Sequence, residues 1–152
     1  MVKNVLNTLR KKQKNNKGFS LVELIVVIAI MAVLVGVLAP QLIKYVEKSR
    51  EATDIQNCDS IVTALKSYYA DVDNPPETVT VTIGSSTSLT GDTSTQALTD
   101  SGLSGAKLKG KNWTSIAIKY TPGNGTVEYT VTGGDKAYYK VDTSDKSKFV
   151  KQ

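Results

Sequence analysis

The chain has 152 residues, a length that suits one ordinary domain, and a formal charge of +5. Six of its basic residues (Lys3, Arg10, Lys11, Lys12, Lys14 and Lys17) lie in residues 1–18, which hold no Asp or Glu, and the remainder carries a net charge of −1. The basic excess therefore belongs to the first eighteen residues, and no nucleic-acid partner is expected. With one cysteine, Cys58, and no histidine, an intrachain disulfide, Ser-His-Asp and Cys-His catalysis, His-ligated metals and a histidine pH switch are all excluded.

After the basic leader the chain turns apolar. Leu24 to Ala39 is sixteen residues without a polar side chain, and Phe19 to Ile43 gives twenty-five at the cost of Ser20, Glu23, Pro40 and Gln41. A spanning helix needs about 20 predominantly apolar residues at ~1.5 Å each. The longer window is sufficient. With the basic leader on its N-terminal side, the positive-inside rule places residues 1–18 in the cytoplasm and everything after about Ile43 outside. A buried core helix is disfavoured, because a fold of this size would struggle to cover a helix that is apolar all round. An ordinary secretory signal peptide, with Val37-Leu38-Ala39 as its cleavage site, is the competing reading. Glu23 inside the apolar run and Pro40 directly after the cut argue against it.

The stretch Lys17-Gly18-Phe19-Ser20-Leu21-Val22-Glu23-Leu24 resembles the type IV prepilin signature. There, a basic leader ends in glycine, a phenylalanine-type residue follows, and a glutamate occupies the fifth position ahead of a long apolar helix. Pro40 also matches a proline often found about two-thirds of the way along that helix. The match covers roughly residues 17–50. The resemblance implies cleavage between Gly18 and Phe19 by a membrane-embedded prepilin peptidase and methylation of the new Phe19 amine. Extraction from the bilayer by an assembly platform with a motor ATPase follows, then packing of the helices into a filament core.

Each of these residues also has a physical reading. Gly18, without a side chain, lets a protease approach the backbone closely. Cleavage places a positive amine at Phe19 beside lipid. A lone ionised glutamate at membrane depth costs on the order of a few kcal/mol, and an ammonium partner lowers that cost. For Glu23 the partner is either its own Phe19 amine, one helical turn away, or a neighbour's, as in the family's assembly scheme. A near-interface glutamate tilting toward headgroups is the plainer alternative. Pro40 removes a backbone donor and crowds the preceding turn, and Gly36, at its i−4 position, lowers helix propensity. The pair predicts a weak point, read either as a kink or as a segment that melts in the filament.

Beyond Gln41 the pattern becomes amphipathic. Ala52, Ile55, Cys58, Val62, Leu65 and Tyr69 recur at three- and four-residue spacing with Ile61 and Tyr68 alongside, predicting one buried helix face. Lys44, Glu47, Lys48, Arg50, Glu51, Asp54 and Asp59 are assigned to a solvated face, with Glu47/Arg50 and Arg50/Asp54 at helix-neighbour spacing. Cys58 is expected to be a packed thiol. Asp73-Asn74-Pro75-Pro76 ends the helix. Val79, Val81 and Ile83 alternate with threonines as a short strand. Gly84–Gly102 reads as a surface loop with a short helix near Thr95–Leu98. Three further strands are predicted at Trp113–Tyr120, Thr126–Thr132 and Ala137–Val141, joined by Gly-containing turns as an antiparallel meander. Asp142–Gln152 must be held by packing or strand pairing, since no cysteine follows Cys58. Many pilins have a disulfide there; pilins of Gram-positive bacteria, particularly clostridial ones, generally lack it, and this chain looks closer to those. It has no LPxTG-like sorting motif.

The expected fold is α+β and type IV pilin-like: a long N-terminal helix, apolar in its first half and amphipathic in its second, packed on a small antiparallel sheet. The expected divisions are a cleaved cytoplasmic leader (1–18), a transmembrane and filament-core helix (19–43) and an extracellular head (44–152). The head comprises a helix (44–72), a variable loop (73–112), a sheet (113–141) and a tail. The resemblance implies a structural subunit of a surface filament serving adhesion, twitching motility or biofilm formation. On that reading it is not expected to be an enzyme or to need a cofactor or metal, and its expected partners are other copies of itself, the peptidase, the assembly machinery and the membrane. The alternatives are a pseudopilin of a secretion or DNA-uptake system, a signal-peptide-bearing secreted protein, and a membrane-anchored enzyme.

Overall fold

The computed structural model describes residues 18–84, 87–90 and 92–152; the basic leader residues 1–17 lie outside these. The architecture is α+β, a long N-terminal helix and an antiparallel sheet. Helix α1 runs Leu21–Ala70. It begins in one compact unit that ends at Leu42 and continues into a second, Ile43–Gln152.

In the first unit the backbone is helical from Leu21 to Leu42, through both Gly36 and Pro40. Proline withdraws the donor that would meet the carbonyl of Gly36. A side chain built at Gly36 would meet nothing within 4 Å, so packing does not demand glycine there. The apolar side chains are uncovered: between Leu21 and Ile43 the large ones expose from 47 % (Val27) to 73 % (Leu21) of their surface.

The second unit follows from three amphipathic patterns meeting. From α1 come Cys58, Ile61, Val62, Leu65 and Tyr69, all buried. Strands β1 (Val79–Ile83), β3 (Trp113–Thr121) and β4 (Thr126–Gly133) supply Val79, Val81, Ile83, Ile116, Ile118, Tyr120 and Tyr129. Burying a side chain such as Leu65 or Ile118 contributes about 1.5–3 kcal/mol. The sheet has the order β2-β1-β3-β4 with every neighbour antiparallel, β2 being Thr87–Thr90. The segment 84–102, predicted as a loop with a short helix near Thr95–Leu98, contains that helix as α2 (Asp92–Asp100), whose Ala97 and Leu98 are buried, and also an edge strand that was not expected. Its Ser/Thr-rich composition hid two core residues. The expected meander is also corrected. The third predicted strand shortens to β5 (Tyr139–Val141) and leaves the main sheet to pair with β6 (Phe149–Lys151). The C-terminal segment is held by that pairing, by Tyr129 N–H donating to the Lys146 carbonyl at 2.8 Å, and by Phe149, whose ring packs 5.9 Å from Trp113 and 4.9 Å from Tyr129. A register shift between Trp113 and Ser115 breaks the alternation of β3, so that Trp113 and Ile116 both face inward. Gly125, with φ +71°, closes the β3–β4 turn, its N–H donating to the Thr121 carbonyl at 2.9 Å. That φ favours glycine.

The helix face itself needs a correction. Ala52 is exposed, whereas Glu51 and Asp54, assigned to solvent, are fully buried. Asp54 accepts from the backbone N–H groups of Lys109 (2.8 Å) and Gly110 (2.7 Å). Glu51 accepts from the Asn112 side-chain amide (2.7 Å) through one oxygen and from the N–H groups of Tyr138 (2.7 Å) and Tyr139 (3.3 Å) through the other. Glu47, half-buried, accepts from Lys111 N–H and pairs with Arg50 at 3.6 Å. The Glu47/Arg50 pair therefore forms as its spacing suggested, while the Asp54 carboxylate is committed to the 109–110 backbone instead of Arg50. Buried carboxylates are tolerated only when their lone pairs are filled. Here the filling ties two segments, the irregular 109–112 and Tyr138–Tyr139 at the entry to β5, to the helix. Gly110 is the point of closest approach: a Cβ on it would stand 2.9 Å from Asp54 Oδ2 and 3.3 Å from Glu51 Cγ.

Two outcomes follow for the stability of the head. Gly110→Ala pushes the loop off the pinned Asp54 carboxylate and lowers stability by about 1–3 kcal/mol, measured by chemical denaturation. Burial pushes the Asp54 carboxyl above its ordinary value of 3.8, against the pull of its two amide donors. A carboxyl that holds its proton more tightly folded than unfolded stabilises the fold fully below pH 3.8. That contribution is lost as pH rises through the elevated folded value. Asp54→Asn removes this slope from the denaturation profile. It also costs about 1–3 kcal/mol at neutral pH, because its amide group turns a donor toward one of two N–H groups. A variant with an unchanged slope would show that Asp54 does not titrate in the head.

Candidate functional site

Gly18, Phe19 and Ser20 precede α1 in non-helical conformation and are exposed, Phe19 by 85 %. Ser20 stands at the N-cap and Glu23 three residues further on. The Glu23 side chain turns back and accepts a hydrogen bond from Ser20 N–H through Oε2 at 2.9 Å, while the Ser20 carbonyl accepts from Leu24 N–H at 3.2 Å. This is half of a capping box, in which a glutamate at the third helical position satisfies the N-cap donor. The carboxylate also sits in the first turn, where the helix dipole favours an anion. Sequence reasoning treated Glu23 only as an anion in an apolar run. The Ser20-x-x-Glu23 spacing is the signal that would have given its local role.

The geometry settles what the local structure asks of each residue. Among the described residues a side chain at Gly18 would meet nothing within 4 Å, so they impose no steric need for glycine there. Glu23 bonds its own Ser20 amide and leaves Oε1 without a hydrogen bond among the described residues. Gly36 and Pro40 lie thirteen and more residues along the same helix and make no contact with the Gly18–Glu23 group; they form a separate feature of the run. The helix is long and apolar enough to cross a membrane, with a mean hydropathy of 3.1 over its best eighteen-residue window and none of that window buried.

Several polar side chains are engaged within the head. Cys58 is fully buried, and burial pushes its thiol up to about 12, so it stays protonated and unreactive at neutral pH. The side-chain amide of Asn112, first residue of an Asn-Trp-Thr triplet, is engaged by Glu51. Asn124, first residue of an Asn-Gly-Thr triplet, accepts from Thr126 N–H at 3.0 Å in the β3–β4 turn. Tyr129 donates its hydroxyl to Asp59 at 3.0 Å, and burial together with that bond raises its pKa.

Comparison with known proteins bears on the N-terminal segment. Residues 13–39 match the family described as the prokaryotic N-terminal methylation motif. The chain is 34 % identical over 58 residues to the type IV major pilin protein PilA of Myxococcus xanthus (strain DK1622). That match covers 38 % of this chain and 26 % of the relative, so the chain matches about a quarter of that protein's length. No solved structure matches. The segment that carries Gly18, Phe19 and Glu23 thus bears the prokaryotic N-terminal methylation motif, and the chain resembles the type IV pilins.

Proposed function

We propose that the chain is a structural subunit of a type IV pilus, made as a membrane-anchored prepilin and polymerised into a surface filament. The observation that carries this reading is an apolar helical run, Leu21 to Ile43, uncovered on every face. The single carboxylate of that run, Glu23, lies one turn from the residue that becomes the N-terminus if the chain is cut after Gly18. The prepilin peptidase cuts between Gly18 and Phe19, and the Phe19 amine is methylated. The N-terminus faces the cytoplasm and the head the outside until the assembly platform and its motor ATPase draw the chain into the filament. The freedom from steric demand at Gly18 supports assigning the need for glycine to the peptidase. Glu23 then serves as the anion for a Phe19 amine, and its Oε1, without a hydrogen bond among the described residues, leaves room for one. Gly36 and Pro40 supply a stretch where the helix yields under axial load. Adhesion, twitching or biofilm formation are the tasks such a filament performs.

Electron microscopy of surface-sheared material, with mass spectrometry of its main band, tests the reading as a whole. An abundant filament whose subunit begins at methylated Phe19 is expected; a mature chain beginning at Pro40 would mean a secretory signal peptide. Gly18→Val abolishes the Phe19 N-terminus, and recovery of normally processed protein from that variant rules out the assigned cut. Glu23→Gln keeps the acceptor for Ser20 N–H, as glutamine also closes a capping box, but removes the charge. It leaves cleavage intact and lowers surface filament by more than an order of magnitude, since an uncompensated ammonium at membrane depth costs a few kcal/mol. Wild-type piliation from Glu23→Gln would remove the ionic role.

A further inference from the structure

Beyond the leader the charges nearly cancel, yet the head sorts them in space. Glu51 and Asp54 are turned inward, and Glu47 is occupied by Lys111 N–H and Arg50. The lysines of the same segments stay outside. The Lys48 ammonium lies 4.1 Å from the ring centroid of Tyr138, whose N–H is bonded to Glu51. Lys136 and Lys140 stand two residues to either side of Tyr138, and Lys151 is the cross-strand partner of Tyr139. Lys44 is one helical turn before Lys48. Six lysines (44, 48, 111, 136, 140 and 151), all exposed except the half-buried Lys48, therefore gather around helix residues 44–51. Among the described residues none of the six is in an ion pair; the pairs present are Arg50–Glu47 and Lys148–Asp145. The exposed Asp135 offsets one of the charges. Two tyrosines stand among them, Tyr45 at 64 % exposure and Tyr138 half-buried.

We infer that this collar of lysines and tyrosines is a docking surface for anionic lipid headgroups, seating the head on the membrane before the chain joins a filament. The inference rests on the membrane reading of the apolar run. The collar starts at Lys44 and Tyr45, directly after Ile43 closes that run, and basic and aromatic side chains at the end of an apolar span are the residues that anchor at a headgroup layer. Each lysine close to an anionic surface strengthens the contact about five-fold, provided it lies within a Debye length of about 8 Å at physiological salt. A second copy of the chain is the poorer occupant. The end of α1 and the breaker after it offer only Asp71, Asp73 and Glu77 as exposed acids, too few to match six cations.

The test uses the full chain in vesicles of phosphatidylcholine, with or without phosphatidylglycerol. Lysines are acylated by a water-soluble amine reagent and read by peptide mass spectrometry. With phosphatidylglycerol the six collar lysines react several-fold more slowly, Lys66 and Lys119 are unchanged, and high salt restores reactivity. The double variant Lys136→Gln/Lys140→Gln, altered only at exposed positions, weakens the contact by roughly twenty-fold and re-exposes Lys111 and Lys151. Equal reactivity in the two lipids overturns the inference. So does protection that follows the density of protein instead of the anionic fraction, which would identify a second copy as the partner. A chain that floats with the vesicles but stays unprotected removes the docking surface alone, whereas one that fails to float removes the membrane reading as well.

Discussion

Water cannot be the resting environment of α1 between Leu21 and Ile43. Every large apolar side chain there exposes about half of its surface or more, and fully covering one such side chain is worth about 1.5–3 kcal/mol. A few of them together equal the 5–15 kcal/mol that is the net stability of an ordinary domain. Something outside the chain must therefore cover this helix, and because the apolar surface runs all the way round, a one-sided partner would not suffice. Lipid surrounds a helix completely, and so does a bundle of identical helices. The proposed life of the chain uses both covers in succession, which asks of the sequence only that the run be apolar on all faces.

The second half of the same helix solves the opposite problem. It has one face to bury, and it buries a row that changes character along its length. Glu47, Glu51 and Asp54 lead into Cys58, Ile61 and Leu65 at spacings of four, three, four, three and four. The apolar end of the row packs on the sheet, where side chains make the contacts. The acidic end meets the irregular segment 109–112 and Tyr138–Tyr139 at the entry to β5, whose backbone N–H groups donate to it. Carboxylates suit that end because each presents several lone pairs, and hydrogen bonds to a charged acceptor are worth about 1.5–3 kcal/mol. A chain with a single cysteine cannot use a disulfide to fasten these segments to the helix, and the carboxylate row does it instead. The same arrangement has an electrostatic consequence: with its acids drawn inward, this end of the head shows its lysines to the outside.

Periodicity made much of the fold readable. The apolar stripe from Cys58 to Tyr69, the alternation of Val79–Ile83 and the faces of Trp113–Tyr120 and Thr126–Thr132 are local patterns, and each became the element its spacing implied. What could not be read depends on partners distant in sequence. Asp54 was placed in solvent because nothing near it announces Lys109 and Gly110, fifty-five and fifty-six residues away. The pairing of β5 with β6, and the insertion of β1 between β2 and β3, are likewise choices among strands that look alike locally. The candidate site was more legible than the head because it is short and contiguous. Within it the Ser20–Glu23 bond also has a sequence-level signal, the three-residue spacing of a capping box, beside the more conspicuous charge in an apolar run.

That cap changes the question Glu23 first raised. Pairing with its own N-terminus or with a neighbour's looked like a choice between two partners for one anion. The carboxylate has two oxygens, and among the described residues only Oε2 is occupied, with Ser20 N–H. The bond fixes the side chain over the first turn and so sets where Oε1 sits before any partner arrives. An ammonium brought by another copy then meets an anion that is already oriented and loses little side-chain freedom on pairing. The chain's own Phe19 amine, one residue before the capped Ser20, would have to share that same corner of the helix end. In the assembly proposed above the local bond and an intermolecular ion pair would be complementary: the first holds the carboxylate in place, and the second would make it selective for a neighbour at one axial position.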